Sequence, residues 1–164
     1  MTPSSVVALG ICLLALAGCS TLSPYSDLTK LDLTLEGSAE LNPDLSGRPS
    51  PIVLRLMALK HPVAFENSDF FSLYQRPREA LAPDLLTVEE LELRPGEIRE
   101  LKLSVEEGTR YVGVVAAYRN LPETSWRFVI PVEEQEATQI ALSLDDKGIR
   151  ELPAAEHDKR KDRD

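Results

Sequence analysis

An all-β fold, an antiparallel two-sheet β-sandwich, is what this sequence predicts, and three observations predict it. Seven or eight short segments either alternate apolar and polar residues or run continuously apolar. Clusters of Pro, Gly, Asn and Asp separate them at turn-like intervals. Only around Phe70 does the apolar spacing lengthen to a helical period. Helix therefore enters as a short excursion near residues 68–82, not as a layer of its own.

The first strand is read at Lys30 to Glu36, with Leu31, Leu33 and Leu35 on one face and Asp32, Thr34 and Glu36 on the other. Residues 37–51 break the pattern with Asn42-Pro43-Asp44, Gly47 and two further prolines. A loop of about 15 residues without structure of its own is usually functional or disordered. Ile52 to Leu59 is almost wholly apolar, suiting a central strand, and His61-Pro62 ends it. Asn67 or Ser68 is placed to cap a short helix whose Phe70, Phe71, Leu73 and Tyr74 share one face. Pro77 and Pro83 keep any helix beyond it short.

Thr87 to Leu93 resumes strand alternation, and Pro95-Gly96 fits the centre of a type II turn. Leu101, Leu103 and Val105 continue on one face, with Ile98 out of step and implying a bulge. Glu107-Gly108 turns the chain into Tyr111 to Tyr118, small and apolar enough for a close-packed central strand. Trp126, Phe128, Ile130 and Val132 alternate with Arg127 and Val129, which directs the indole inward. Ile140, Leu142 and Leu144 form one more face, and Gly148 to Leu152 adds a short last strand.

The N-terminus carries a different signal. An apolar run from Val6 to Ala17 precedes the first charged side chain, Asp27. It is shorter than the roughly 20 residues that span a bilayer, and closed by small residues it reads as a secretory signal. Leu16-Ala17-Gly18-Cys19 at its end resembles the lipobox of bacterial lipoproteins. That resemblance implies a diacylglyceryl group on the Cys19 thiol, cleavage before it and acylation of the new amino group. Each buried methylene adds about 0.8 kcal/mol, so two or three chains on one residue anchor stably. The stretch Met1 to Ser5 departs from the pattern in having no Lys or Arg. In enterobacterial lipoproteins an Asp after the cysteine retains the protein at the inner membrane; Ser20 stands there instead and points to the outer membrane.

The chain thus divides into a signal peptide (1–18), a lipidated cysteine and tether (19–29), a sandwich domain (30–153) and a charged, disordered tail (154–164) without a large apolar residue. Cys12 leaves with the signal and Cys19 is acylated, so neither a disulfide nor a thiol-ligated metal is expected. About 145 mature residues make one domain. A formal net charge of -9 in 164 residues argues against nucleic acid as a partner.

Catalytic chemistry has few candidates. The two histidines, His61 at a strand end and His157 in the tail, lack the base-and-orienter company of a nucleophilic site. The acid pairs Glu89-Glu90, Glu106-Glu107, Glu133-Glu134 and Asp145-Asp146 flank strands or turns, where they read as a solvated rim. Asn42 with Asp44 is too sparse for a calcium loop. No catalytic residue, metal or cofactor is expected. The candidate site is the loop of residues 37–51, with Leu41 and Leu45 free to bury and Glu40, Asp44 and Arg48 as its charges.

Several segments together resemble the TssJ (SciN) family, the outer-membrane lipoproteins of bacterial type VI secretion. They are Leu41-Asn42-Pro43-Asp44, Gly47 to Leu56, Asp69 to Tyr74, Arg94 to Glu97, and Tyr111 to Arg119 with Trp126-Arg127. The resemblance implies a transthyretin-like sandwich at the inner leaflet of the outer membrane, facing the periplasm. It implies binding to the periplasmic C-terminal part of the inner-membrane protein TssM, and through it an indirect link to TssL. The loop between the first two strands contributes to that contact in the family, which here falls on Leu41, Asn42, Pro43, Asp44, Leu45 and Arg48. Leu41 and Leu45 would be apolar anchors and Arg48 would pair a partner carboxylate, while shortening Glu40 to Ser46 should leave folding intact. The competing reading is a periplasmic carrier holding a small ligand in the sandwich. A purine-hydrolysing sandwich enzyme is disfavoured by the absence of a paired His and Arg motif.

Overall fold

Eight strands make two four-stranded sheets in the computed structural model, which describes residues 29–153. The signal, Cys19, the tether up to residue 28 and the charged tail lie outside the described residues. The first sheet runs β4 (Ile98–Ser104), β1 (Lys30–Gly37), β7 (Ala137–Leu144), β8 (Ile149–Glu151). The second runs β3 (Leu85–Leu93), β2 (Ile52–Leu59), β5 (Tyr111–Ala116), β6 (Arg127–Pro131). Neighbours are antiparallel with one exception: β1 and β7 are parallel, Leu33 opposite Ile140 and Leu35 opposite Leu142. The antiparallel two-sheet sandwich predicted from sequence is thus present, with one parallel seam that local alternation, blind to so distant a neighbour, does not reveal.

The alternation has a direct physical result. Leu31, Leu33 and Leu35 of β1 lose essentially all solvent contact, as do Leu54 of β2, Val114 and Ala116 of β5, Ile130 of β6 and Leu142 and Leu144 of β7. These inner faces form the main core, each Leu or Ile contributing about 1.5–3 kcal/mol by leaving water. The bulge expected at Ile98 is absent. Registry from Glu36 opposite Ile98 to Lys30 opposite Ser104 is unbroken, and Ile98 simply points outward, half exposed.

The continuous apolarity of β2 has its own cause, since this strand is buried on both faces. Met57 and Leu59 point away from the main core and meet a second one with Val115, Phe65, Leu73 and Leu81. Three short helices between β2 and β3 supply it: α1 (Val63–Asn67), α2 (Phe70–Gln75) and α3 (Pro77–Ala80). Gly113 lies in register between Met57 and Val129, and a Cβ there would sit 2.6 Å from the Phe65 ring. Arg55, Val115 and Arg127 form the next row on the same face. Arg127 donates to the carbonyls of Phe65 and Ser68 at 3.1 and 2.8 Å. Arg55 donates to the Tyr74 carbonyl, bonds Glu90 at 2.8 Å and lies 4.1 Å over the Tyr74 ring. Two sheet arginines thus fasten the helices in place.

The cap of α2 is Asp69, not Asn67 or Ser68; its carboxylate accepts from the Ser72 backbone at 3.0 Å and hydroxyl at 2.6 Å. Those bonds hold the Asp69 carboxyl below its ordinary range, the Ser72 hydroxyl contributing most. Phe70, Leu73 and Tyr74 face the sheet at helical spacing, whereas Phe71, one step off that stripe, is 60% exposed. Trp126 is half-buried just before β6, touching both cores and meeting Phe70 edge-on at 5.3 Å, so the indole bridges them and is not enclosed in one. Gly96 has the positive φ of +74° that the predicted turn requires.

Candidate docking site

The chain between β1 and β2 is a closed loop held by its own hydrogen bonds. The Asp44 carboxylate accepts from Ser46 N at 2.8 Å and Arg48 N at 3.0 Å through Oδ1, and from the Arg48 guanidinium at 2.9–3.0 Å through Oδ2. Asp44 N donates to the Arg48 carbonyl at 2.8 Å, and Ser50 N to that of Leu41 at 3.0 Å. The backbone donors of Arg48 and Ser46, then the Arg48 side chain, hold the Asp44 carboxyl below its ordinary value.

Asn42 ties this loop to the rest of the molecule. It is 4% exposed, with φ at +46°, where Asn is among the few non-glycine residues tolerated. Its Nδ2 donates to the Pro51 carbonyl at 3.0 Å, and its Oδ1 accepts from Arg119 N at 2.9 Å, 77 residues away. The loop therefore sits against the segment that follows β5. Between them lies a groove of about 590 Å³, with Asn42 to Leu45 on one side and Tyr118 to Asn120, Glu123 and Thr124 on the other. Asp146, in the turn between β7 and β8, completes its wall.

The six predicted loop residues take different roles. Leu41 is fully buried among the main-core leucines and is not available as an anchor. Asn42 is a structural staple, and Pro43 lines the groove. Asp44 and Arg48 pair with each other, so Arg48 is not the open partner for a foreign carboxylate that was expected. Leu45 alone is an exposed apolar tip, at 110% of its reference area. Burial of Leu41 also corrects the expectation that residues 40–46 are dispensable for folding.

The opposite wall was not foreseen. Tyr118 is 4% exposed, and its buried hydroxyl has no hydrogen-bond partner among the described residues. Burial, aided by the charges of Asp145 and Asp146, pushes the phenol well above its usual range and keeps it a donor. Glu123 is engaged by Asn120 Nδ2 at 2.7 Å, while the Arg119 side chain is exposed and acts electrostatically on Asp44. The acid pair Asp145-Asp146 was legible as a strand or turn flank, but nothing local places it, or the segment around Pro122, beside residues 42–45.

Elsewhere, His61 Nδ1 meets Asp84 Oδ1 at 2.9 Å on the exposed end of β2. Among the described residues no group of three or more His, Cys, Asp or Glu is arranged to hold a metal ion. No helix among them is long and apolar enough to cross a membrane.

The model of the T6SS-SciN family, described as the type VI secretion lipoproteins VasD, EvfM and TssJ, matches residues 29–147. The chain belongs to this family. It is 36% identical to the type VI lipoprotein TssJ1 of Pseudomonas aeruginosa, whose crystal structure it matches over 77% of this chain and 98% of that one, with a TM-score of 0.72. Lip of Serratia marcescens, a membrane-bound component of the type VI system, matches over 76% of this chain and 98% of its own, at 24% identity and a TM-score of 0.72. A structure described as the TssM C-terminal domain from EAEC matches 77% of this chain and 100% of the matched one, at 20% identity and 0.65. The last two agree in fold. No curated protein matches the chain.

A TssJ-family β-sandwich is therefore the scaffold on which the groove is built, and the family is a lipoprotein of the secretion machine.

Proposed function

We propose that this chain is held at the periplasmic face of the outer membrane by lipid on Cys19 and docks the C-terminal periplasmic part of a TssM protein, reaching TssL only indirectly. The groove beside residues 42–45 is the contact, and its role is structural, not catalytic. The observation that carries this reading is Leu45, a fully exposed leucine on a loop closed by Asp44 and Arg48 at the rim of that groove. A loop already fixed in one conformation loses little entropy on docking, so its apolar tip contributes most of what it gains. Family membership supports the choice of partner. A carried ligand would need space between the sheets; Leu33, Leu54, Val114 and Leu142 fill the main core, and what stays open is a cleft of about 260 Å³ lined by Leu56, Ala58, Leu103, Val105 and Val112.

Calorimetric titration tests the docking. Full chain purified in mild detergent is titrated with the periplasmic TssM domain of the same organism. Leu45→Asp is expected to weaken binding more than about tenfold, the 1.4 kcal/mol that a modest hot spot exceeds, with an unchanged melting temperature. An affinity equal to wild type overturns the reading. Anchoring is tested separately: Cys19→Ser should take up no labelled palmitate, and normal labelling removes Cys19 as the anchor.

A further inference from the structure

The sandwich is closed along one flank and open along the other. On the closed flank Ser125, before β6, pairs with Gly148, before β8, and Ile149 N donates to the Ser125 carbonyl at 2.8 Å. On the other flank lie the edge strands β3 and β4, joined through the turn at Pro95-Gly96. They leave that turn in different sheets, and between their far ends, near Thr87 and Ser104, the cleft of about 260 Å³ opens. Leu56, Ala58 and Val112 line it as nearly buried residues, Leu103 and Val105 as partly exposed ones. Glu89 and Glu106 are its exposed lining, and neither side chain makes a hydrogen bond or ion pair with the described residues. The volume falls below the roughly 300–1,000 Å³ of sites for drug-sized ligands. A single side chain fits it better than a cargo.

The described chain starts beside this cleft. Val105 N donates to the Thr29 carbonyl at 3.1 Å, so the residues preceding Thr29 begin at one of its walls. Among those residues, outside the described ones, are Leu22, Tyr25 and Leu28. We propose that the cleft is the seat of Tyr25 from this chain's own tether. Four residues span at most about 14 Å, enough to bring Tyr25 from Thr29 back over Val105. The ring meets Leu103, Val105 and Val112, while the hydroxyl stays at the rim and donates to the Glu89 or Glu106 carboxylate, the pairing of apolar body and polar tip that a tyrosine needs. Leu28 has the parity of the outward-facing Lys30, and Leu22 offers the carboxylates no donor.

Seating Tyr25 shortens the free tether. Ten residue steps separate Cys19 from Thr29, about 35 Å when extended, whereas six separate Cys19 from Tyr25, about 20 Å. The docking groove belongs to the other end of the sandwich, where β1 finishes at Gly37 and β2 starts at Ile52. A seated tether therefore holds the cleft end toward the membrane and presents the groove away from it. This consequence rests on the Cys19 anchor and the groove reading above; the seating of Tyr25 does not.

NMR of the mature, lipidated chain with labelled Leu and Val methyls in phospholipid nanodiscs tests the seating. Nuclear Overhauser contacts are expected between the Tyr25 ring and the methyls of Leu103 and Val105. Tyr25→Ala is expected to shift those signals and those of Val112, because the ring current is lost, and to leave Leu35 and Leu144 unmoved. The substitution precedes β1, so the sandwich keeps its own contacts and still folds. Signals of Leu103, Val105 and Val112 that coincide in wild type and Tyr25→Ala overturn the proposal. Contacts to these methyls from lipid methylenes, or from a second copy in isotope-mixed samples, name another occupant and overturn it as well. A wild-type chain that takes up no palmitate yet shows the Tyr25 contacts removes the anchor and leaves the seating standing.

Discussion

Asn42 does at residue scale what the loop does at a larger one: it holds two distant segments in a fixed relation. Its amide makes both bonds at 2.9–3.0 Å, and its backbone occupies the left-handed region that an alanine tolerates poorly. Asn42→Ala should therefore destabilise the fold by about 2–3 kcal/mol, combining two lost bonds with backbone strain. Denaturant unfolding at constant m-value checks this. Asp44 gives a pH signature beside it. Its carboxyl is held below the ordinary 3.8, so the unfolded chain binds the proton more readily than the folded one. The stabilisation is fully present above that ordinary value and is lost as pH falls through the lowered one. Amide NMR signals of Ser46 and Arg48 should move together, with a midpoint below 3.8; a midpoint at or above it would mean the bonds do not persist in solution.

At the scale of elements, the helices depend on the arginines beneath them. Arg127 is half-buried and satisfies two carbonyls, at Phe65 and Ser68. Arg127→Met keeps the stem but leaves both acceptors without a donor, at about 1–3 kcal/mol for groups that stay buried. Hydrogen exchange should quicken across α1 and α2 and remain slow in β1; uniform change throughout would deny the fastening role. Strands were legible because an alternating segment has only one way to bury its apolar half, so Leu31 to Leu35 and Leu54 to Leu56 fell where expected. Continuous apolarity in β2 marked a central strand, but the sequence around His61-Pro62 read as an end and hid α1, the element that covers the strand's second face. Isolated apolar residues in loops are the least legible. Leu41 and Leu45 look alike in sequence, four residues apart, yet one is sealed in the core and the other is bare. Half of the groove was readable from loop length and prolines; Tyr118 and Asp146 come to it through tertiary closure alone.

At the scale of the whole molecule, the parallel seam between β1 and β7 puts the first strand in the interior of its sheet, bonded to β4 on one side and β7 on the other along its length. The last strand, β8, is three residues long and has β7 as its sole sheet neighbour among the described residues. These two ends of the domain differ in how they carry force. A tension arriving from residues before Lys30 runs along the axis of β1, across which its ladder bonds lie, so both ladders must shear together. A tension applied beyond residue 151 peels one short edge strand, a bond at a time. Stretched by optical tweezers against a common handle at Glu89, the domain should rupture at clearly higher force from its residue 29 end than from its residue 153 end, and equal forces would refute this. The lipid on Cys19 proposed above would therefore pull through the strand that is bonded on both sides, not through the short edge strand.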